Sequence, residues 1–202
     1  MKIEFFEGKN KESILQDALD KLDLKQEDVI YSISDEKGGL FKSQTFKLKL
    51  VSNENIKNYL VDYLKELTVN MGLDCKFESK IREGRITINM YSDNNSILIG
   101  KNGKTLTSIQ TILRQLVFNE MNSYPNIILD VENYKEKIQK NLERTVKHIA
   151  KEVQKTKIDV TLDSMNSYER RIVHNILNNF DNITTVSEGE EPNRCVVVKY
   201  KE

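Results

Sequence analysis

The first 52 residues show two hydrophobic periods and predict a β-α-β-β unit. Apolar and polar side chains alternate over residues 1–6, as they do in a strand. A helix is predicted behind a candidate cap at Asn10, because the next apolar residues recur at helical spacing: Ile14, Leu15, Ala18, Leu19 and Leu22. Strands are predicted at residues 29–34 and 44–51, with Gly38 and Gly39 in their connection.

Residues 54–131 predict the order helix, strand, strand, short helix, helix, strand. The two paired strands are expected at residues 73–79 and 85–91. A glycine loop then leads into a helix whose buried side is predicted to carry Leu106, Ile109, Ile112, Leu113, Leu116 and Val117. A strand at residues 126–131 closes the unit.

The last third of the chain predicts two helices and three strands. The long helix at residues 132–156 has an apolar stripe formed by Ile138, Leu142, Val146, Ile149 and Val153. The second helix starts near Asn166, where Glu169 completes a candidate capping box, and it runs through Phe180. Strands are predicted at 158–162, 183–187 and 194–200. The chain is thus expected to be an α+β protein of three small domains, at residues 1–52, 53–131 and 132–202.

Composition describes a soluble globular protein, with 38% hydrophobic and 31% charged residues. The 31 basic and 31 acidic residues cancel, so any contact with nucleic acid must be local rather than a bulk electrostatic effect. No apolar run approaches the roughly 20 residues that span a bilayer. We therefore expect a cytoplasmic protein without direct membrane insertion, in which Cys75 and Cys195 are ordinary packed residues.

A Gly-x-x-Gly loop stands at the start of a helix, and its candidate RNA-binding residues are Ile99, Gly100, Lys101, Asn102, Gly103 and Lys104. Glycine lets the backbone approach a phosphodiester, and the first N–H groups of a helix are donors at its positive end. The two lysines would add phosphate contacts, while Ile97 and Ile99 would help form a floor for the bases. An ordinary tight turn fits the spacing alone.

A nucleotide-binding loop is the rival interpretation, because Gly103-Lys104-Thr105 imitates the end of such a loop. That loop needs a glycine five positions before Gly103, and this position is Leu98. The spacing therefore opposes an ATPase. The two histidines, His148 and His174, lie on different predicted helices, and the carboxylates are dispersed. We expect neither an enzyme, nor a cofactor, nor a metal site, and we expect His148 to be exposed.

The helix that begins near Asn166 carries a polar side opposite its apolar side. Arg170 and His174 are separated by one turn, and the polar side is predicted to comprise Arg170, Arg171, His174, Asn175 and Asn178. Such a surface can bind phosphates and bases through guanidinium, imidazole and amide groups. Arg170, Arg171, His174 and Asn178 are therefore candidate RNA-binding residues, and we expect Arg170 and His174 to lie outside the core. A solvated helix face is the alternative.

The long helix also carries a candidate basic ridge opposite its apolar stripe, formed by Lys137, Lys140, Arg144, Lys147, Lys151 and Lys155. Residues 132–157 contain 8 basic and 4 acidic side chains, a net charge of +4. An ordinary solvated face with Glu136–Lys140 and Glu143–Lys147 pairs is the alternative interpretation.

The whole chain resembles the Jag family of bacterial proteins, also called KhpB or EloR. The loop at residues 99–103 matches the Ile-Gly-x-x-Gly core of a type II KH domain, within the matching order of predicted elements. The segments at residues 165–174 and 187–194, followed by a valine strand at 196–198, closely resemble the family's Arg-x-x-x-His domain. Gly39-Leu40-Phe41 stands where the N-terminal Jag domain often has a Gly-Leu-Phe-like turn.

The chain departs from the family pattern at three positions. Ser164 and Ser167 stand where proline is common, and Glu191 stands where glycine is usual. We expect the missing prolines to loosen the start of the helix without removing its polar side.

The resemblance implies binding of single-stranded RNA, with single-stranded DNA as a further ligand. It also implies post-transcriptional or cell-elongation control in Gram-positive bacteria. The implied partner is a small protein with a single KH domain, and a homodimer is the alternative. A second function class stays open, a protein-interaction adaptor whose KH domain dimerises.

Overall fold

The structure is a computed structural model that describes residues 1–36 and 45–201. It divides into two compact units, Met1–Glu132 and Asn133–Glu202. The predicted Gly38-Gly39 connection and the Gly39-Leu40-Phe41 resemblance lie outside the described residues.

The N-terminal part of the first unit has the predicted β-α-β-β order: β1 (Glu4–Gly8), α1 (Lys11–Leu22), β2 (Val29–Glu36) and β3 (Thr45–Ser52). Strand β3 lies between β1 and β2 and pairs antiparallel with both. The Asn10 cap is confirmed, since its side chain accepts a hydrogen bond from the Glu12 N–H at 2.8 Å. The buried residues of α1 and β3 form one core with Val29: Ile14, Ala18, Leu19, Leu48 and Leu50.

The rest of the first unit confirms the predicted order of six elements: α2 (Asn53–Asn70), β4 (Cys75–Arg82), β5 (Arg85–Ser92), α3 (Asn95–Ile99), α4 (Lys104–Met121) and β6 (Ile127–Val131). Strand β5 is central, antiparallel to β4 and parallel to β6. The prediction that Ile112 is buried is wrong, because its side chain is 43% exposed. At about 100° per residue it lies to one side of the buried stripe that contains Ile109 and Leu113.

Hydrogen bonds join the two parts of the first unit where β3 runs directly into α2. Ser52 caps α2 by accepting a hydrogen bond from the Asn55 N–H at 3.2 Å. The buried side chain of Asn53 donates from Nδ2 to the Glu27 carbonyl oxygen at 3.0 Å. Residues 1–132 accordingly cluster as one compact unit, and the division at residue 52 stays a prediction.

The second unit contains two helices and a three-stranded sheet: α5 (Tyr134–Thr156), β7 (Val160–Thr161), α6 (Ser167–Leu177), β8 (Ile183–Glu188) and β9 (Cys195–Tyr200). Strand β9 lies between β7 and β8 and is antiparallel to both. The core is formed by buried residues of α5, α6, β8 and β9: Val146, Ala150, Val153, Val173, Leu177, Ile183, Val196 and Val198. Helix α6 ends at Leu177, before the predicted Phe180.

None of the helices in the described ranges is both long and apolar enough to cross a lipid bilayer.

Candidate nucleic-acid interface

The turn between α3 and α4 requires glycine at its first position. Gly100 has φ +70° and ψ 179°, a conformation that side-chain-bearing residues rarely adopt. A Cβ atom at this position would overlap the Thr105 side chain, which packs directly against the Gly100 backbone. Gly103, with φ +74°, precedes α4 and offers no capping side chain. Helix α4 therefore begins with backbone donors at its positive end, as an anion-binding loop requires.

Two lysines flank this turn on its exposed side. Lys101 and Lys104 are both exposed, and neither forms an ion pair with a residue in the described part of the chain. Asn102 between them is also exposed and adopts a left-handed conformation with φ +53°. The turn thus presents two ammonium groups and a polar amide to solvent beside the start of α4.

Helix α3 supplies the apolar surface next to the turn. Ile97 is 44% exposed, Ile99 is half-buried, and Leu98 between them is fully buried. The alternation follows from the helical geometry, which turns adjacent side chains to different sides. Partly exposed apolar side chains therefore lie beside the loop, where the sequence predicts a floor for bases. Leu98, where a nucleotide-binding loop needs glycine, is instead a core residue of a helix.

The prediction that Arg170 lies on an exposed polar side is wrong. Its side chain is buried, with 8% of the residue exposed. Its Nη1 atom donates a hydrogen bond to the Met165 carbonyl oxygen at 2.7 Å and forms an ion pair with Glu191 at 2.9 Å. The guanidinium group therefore connects α6 to the segment before this helix and to the turn between β8 and β9.

His174 also faces the protein rather than open solvent. Its Nδ1 atom lies 2.6 Å from Thr185 Oγ1 and its Nε2 atom 2.8 Å from Ser187 Oγ. Thr185 and Ser187 are two positions apart on β8, so their side chains share one face of the sheet. Burial, and secondarily the nearby Arg170 charge, lowers the pKa of His174. A neutral imidazole can bridge the two hydroxyl groups, because one of its ring nitrogens donates and the other accepts.

The other residues of the predicted polar side are exposed as predicted: Arg171, Asn175 and the C-cap residue Asn178. The polar side of the helix is therefore divided. Arg170 and His174 fix neighbouring segments of the same unit, whereas Arg171 and Asn178 can reach an external ligand. Thr185, Ser187 and Glu191 were missed as partners, and the alternation of β8 was the one signal for the two hydroxyl residues.

The start of α6 is held by the predicted capping box. The Glu169 N–H donates to Asn166 Oδ1 at 3.0 Å, and the Asn166 N–H donates to Glu169 Oε2 at 2.9 Å. Both hydrogen bonds of the capping box are formed although Ser164 and Ser167 stand where proline is common in the family pattern. The expected loosening of this helix start has no counterpart in the hydrogen bonding.

The six residues of the basic ridge are all exposed on α5, opposite its buried residues. Two of them form the predicted ion pairs, Lys140 with Glu136 and Lys147 with Glu143, each at 2.5 Å. His148, beside the ridge, is exposed as predicted and lies 3.4 Å from Glu152.

Comparison with known proteins assigns two segments of the chain to known domains. The family model described as "KhpA/KhpB, KH domain" matches residues 57–128, and the model of the Arg-x-x-x-His domain matches residues 140–200. The RNA-binding protein KhpB of Clostridium symbiosum is 37% identical over 150 residues, covering 73% of this chain and 68% of that protein.

Two further relatives carry the same name. The RNA-binding protein KhpB of Bacillus subtilis is 32% identical over 203 residues, covering 96% of each chain. That of Lactiplantibacillus plantarum is 36% identical over 151 residues, covering 73% of this chain and 46% of that protein. With a KH domain, an Arg-x-x-x-His domain and these relatives, the chain belongs to the KhpB family.

Proposed function

We propose that this protein is a regulatory protein that binds single-stranded RNA, with the Gly100–Gly103 turn as its phosphate-binding loop. The observation that carries the proposal is the geometry of this turn. Gly100 lets the turn pack tightly against Thr105, the start of α4 lacks a side-chain cap, and two exposed lysines stand beside it. Close backbone approach and local positive charge are what a phosphodiester requires. The relatives' name, RNA-binding protein, supports the proposal.

The Arg-x-x-x-His domain contributes a second part of the proposed interface. We assign direct RNA contacts to the exposed side chains of Arg171 and Asn178, which offer a guanidinium fork and an amide. Arg170 and His174 are assigned to the same site as residues that hold the surrounding segments in place. Single-stranded DNA is a further ligand of the same chemistry.

The proposed activity is binding in the cytoplasm, without catalysis, and none of the relatives above carries the name of an enzyme. A small single-KH protein is the proposed partner, because the matching KH model covers both KhpA and KhpB. The exposed Ile112 on α4 favours a second candidate function, an adaptor whose KH domain pairs with another.

One titration tests the loop and separates the two functions. Lys101→Asp with Asn102→Asp places two carboxylates beside the phosphate path and should weaken RNA binding at least about tenfold. Lys25→Asp with Gln26→Asp makes the same change in net charge at exposed positions outside the loop and should leave RNA affinity nearly unchanged.

Circular dichroism should show that both double variants fold. If the loop variant and the parent protein bind RNA with equal affinity, the KH loop is not an RNA-binding site, and the adaptor function is favoured. An equal loss in both double variants would show that only the total charge matters.

A further inference from the structure

Helix α5 carries two classes of cation that the sequence pattern does not distinguish. Lys140 and Lys147 are neutralised by glutamates one turn away. Arg144, Lys151 and Lys155 are exposed and form no ion pair with any residue of the described ranges. Part of the ridge is therefore available for an anionic ligand in the free protein.

The spacing of these cations suits a polyanion. Arg144 and Lys155 are separated by 11 positions, or about 16 Å along the helix axis at 1.5 Å per residue. Lys151 lies between them, seven positions from Arg144 and four from Lys155, so the three unpaired cations share one side of the helix.

The surroundings of the ridge favour RNA over a membrane or a protein. The apolar side of α5 is buried in its own core through Val146, Ala150 and Val153, so it cannot enter a lipid surface. None of the large hydrophobic side chains found exposed in the described residues lies on α5. A protein interface would need such an anchor, whereas a phosphate backbone needs only charge.

We infer that Arg144, Lys151 and Lys155 form a second phosphate track, separate from the KH loop and from the polar residues of α6. This inference rests on the proposed RNA-binding function and places additional contacts to the RNA backbone on α5. The track reads no sequence, because its contacts are to phosphates alone.

Salt dependence measures the track directly. Each phosphate contact with a single strand contributes about 0.7 to the slope of log affinity against log salt. The triple variant Arg144→Gln, Lys151→Gln, Lys155→Gln should therefore bind single-stranded polyuridylate with a slope smaller by about 2 units. Lys9→Gln, Lys11→Gln, Lys25→Gln is the charge-matched control at exposed positions, and its slope should match the parent protein.

A gain-of-binding variant provides the converse test. Glu136→Gln with Glu143→Gln releases Lys140 and Lys147 from their ion pairs and should steepen the slope by about 1.4 units. These glutamates are exposed, so folding should be unaffected.

An unchanged slope in the ridge triple variant, or an equal decrease in the control, would overturn the track while RNA binding by the parent protein stands. Absence of salt-dependent binding by the parent protein would overturn the proposed function and the track together.

Discussion

Replacement of Arg170 by alanine tests whether this side chain stabilises the fold of the Arg-x-x-x-His domain or serves only to bind a ligand. Its guanidinium group donates to the Met165 carbonyl oxygen at 2.7 Å in a buried position. A hydrogen bond from a charged donor contributes about 1.5–3 kcal/mol. The Glu191 partner is 62% exposed, so that ion pair adds less than about 1 kcal/mol. We expect Arg170→Ala to lower the free energy of unfolding of residues 133–201 by about 2–4 kcal/mol.

Hydrogen exchange of the amides in α6 and β8 measures this local stability without assuming that the whole chain unfolds in one step. Arg171→Ala is the matched control, because it removes the same side chain from the next, exposed position of the same helix. Its cost should stay within about 0.5 kcal/mol. The loss of stability caused by Glu191→Gln should lie between the losses caused by Arg170→Ala and Arg171→Ala.

The outcome that refutes this reasoning is a specific one. If Arg170→Ala changes amide protection no more than Arg171→Ala and yet lowers RNA affinity, the guanidinium group of Arg170 acts as an RNA ligand. Its hydrogen bond to Met165 would then make no measurable contribution to the stability of the domain.

Two further perturbations address the imidazole bridge and the glycine turn. Because the folded-state pKa of His174 is below its usual 6.5, the unfolded state binds more protons, so stability of the Arg-x-x-x-His domain should fall as pH drops below about 6.5. Thermal melts between pH 7.5 and 5 should show this slope, and His174→Gln should lack it; equal slopes would mean that another group titrates. Gly100→Ala should cost about 1–3 kcal/mol, because it combines a positive φ with an overlap at Thr105. Gly72→Ala, also at positive φ but in open space, isolates the backbone strain and should cost less in the same denaturation assay.

The order of elements could be predicted because each segment carries a clear hydrophobic period. Strand alternation and helical spacing are local properties, and so are the caps at Asn10 and Asn166, whose partners lie within three residues. The KH loop was equally accessible, since two glycines, two lysines and the following helix are contiguous. Local chemistry therefore defined most of the fold and one of the two candidate sites.

The surroundings of α6 could not be predicted from the sequence in the same way. A helical projection separates Arg170 and His174 from the apolar residues of their own helix, but it carries no information on the neighbouring strand. The partners of His174 lie 11 and 13 positions away, at Thr185 and Ser187. Their hydroxyl groups make a polar patch on the sheet, so a polar side of α6 can face inward at low cost. A side chain on the polar side of a helix is therefore not necessarily exposed to solvent when the neighbouring sheet is also polar.

The cancellation of charge over the whole chain constrains how RNA is held. With 31 basic and 31 acidic residues, the protein has no general attraction to phosphate. Each phosphate contact therefore depends on cations that form no ion pair within the protein. The KH loop offers two such cations and α5 offers three, in different compact units of one chain. A single strand that bound both proposed sites would gain affinity from their covalent connection, even where each site alone binds weakly. Variants at either site should therefore weaken binding rather than abolish it, and the salt slope should retain the part contributed by the intact site.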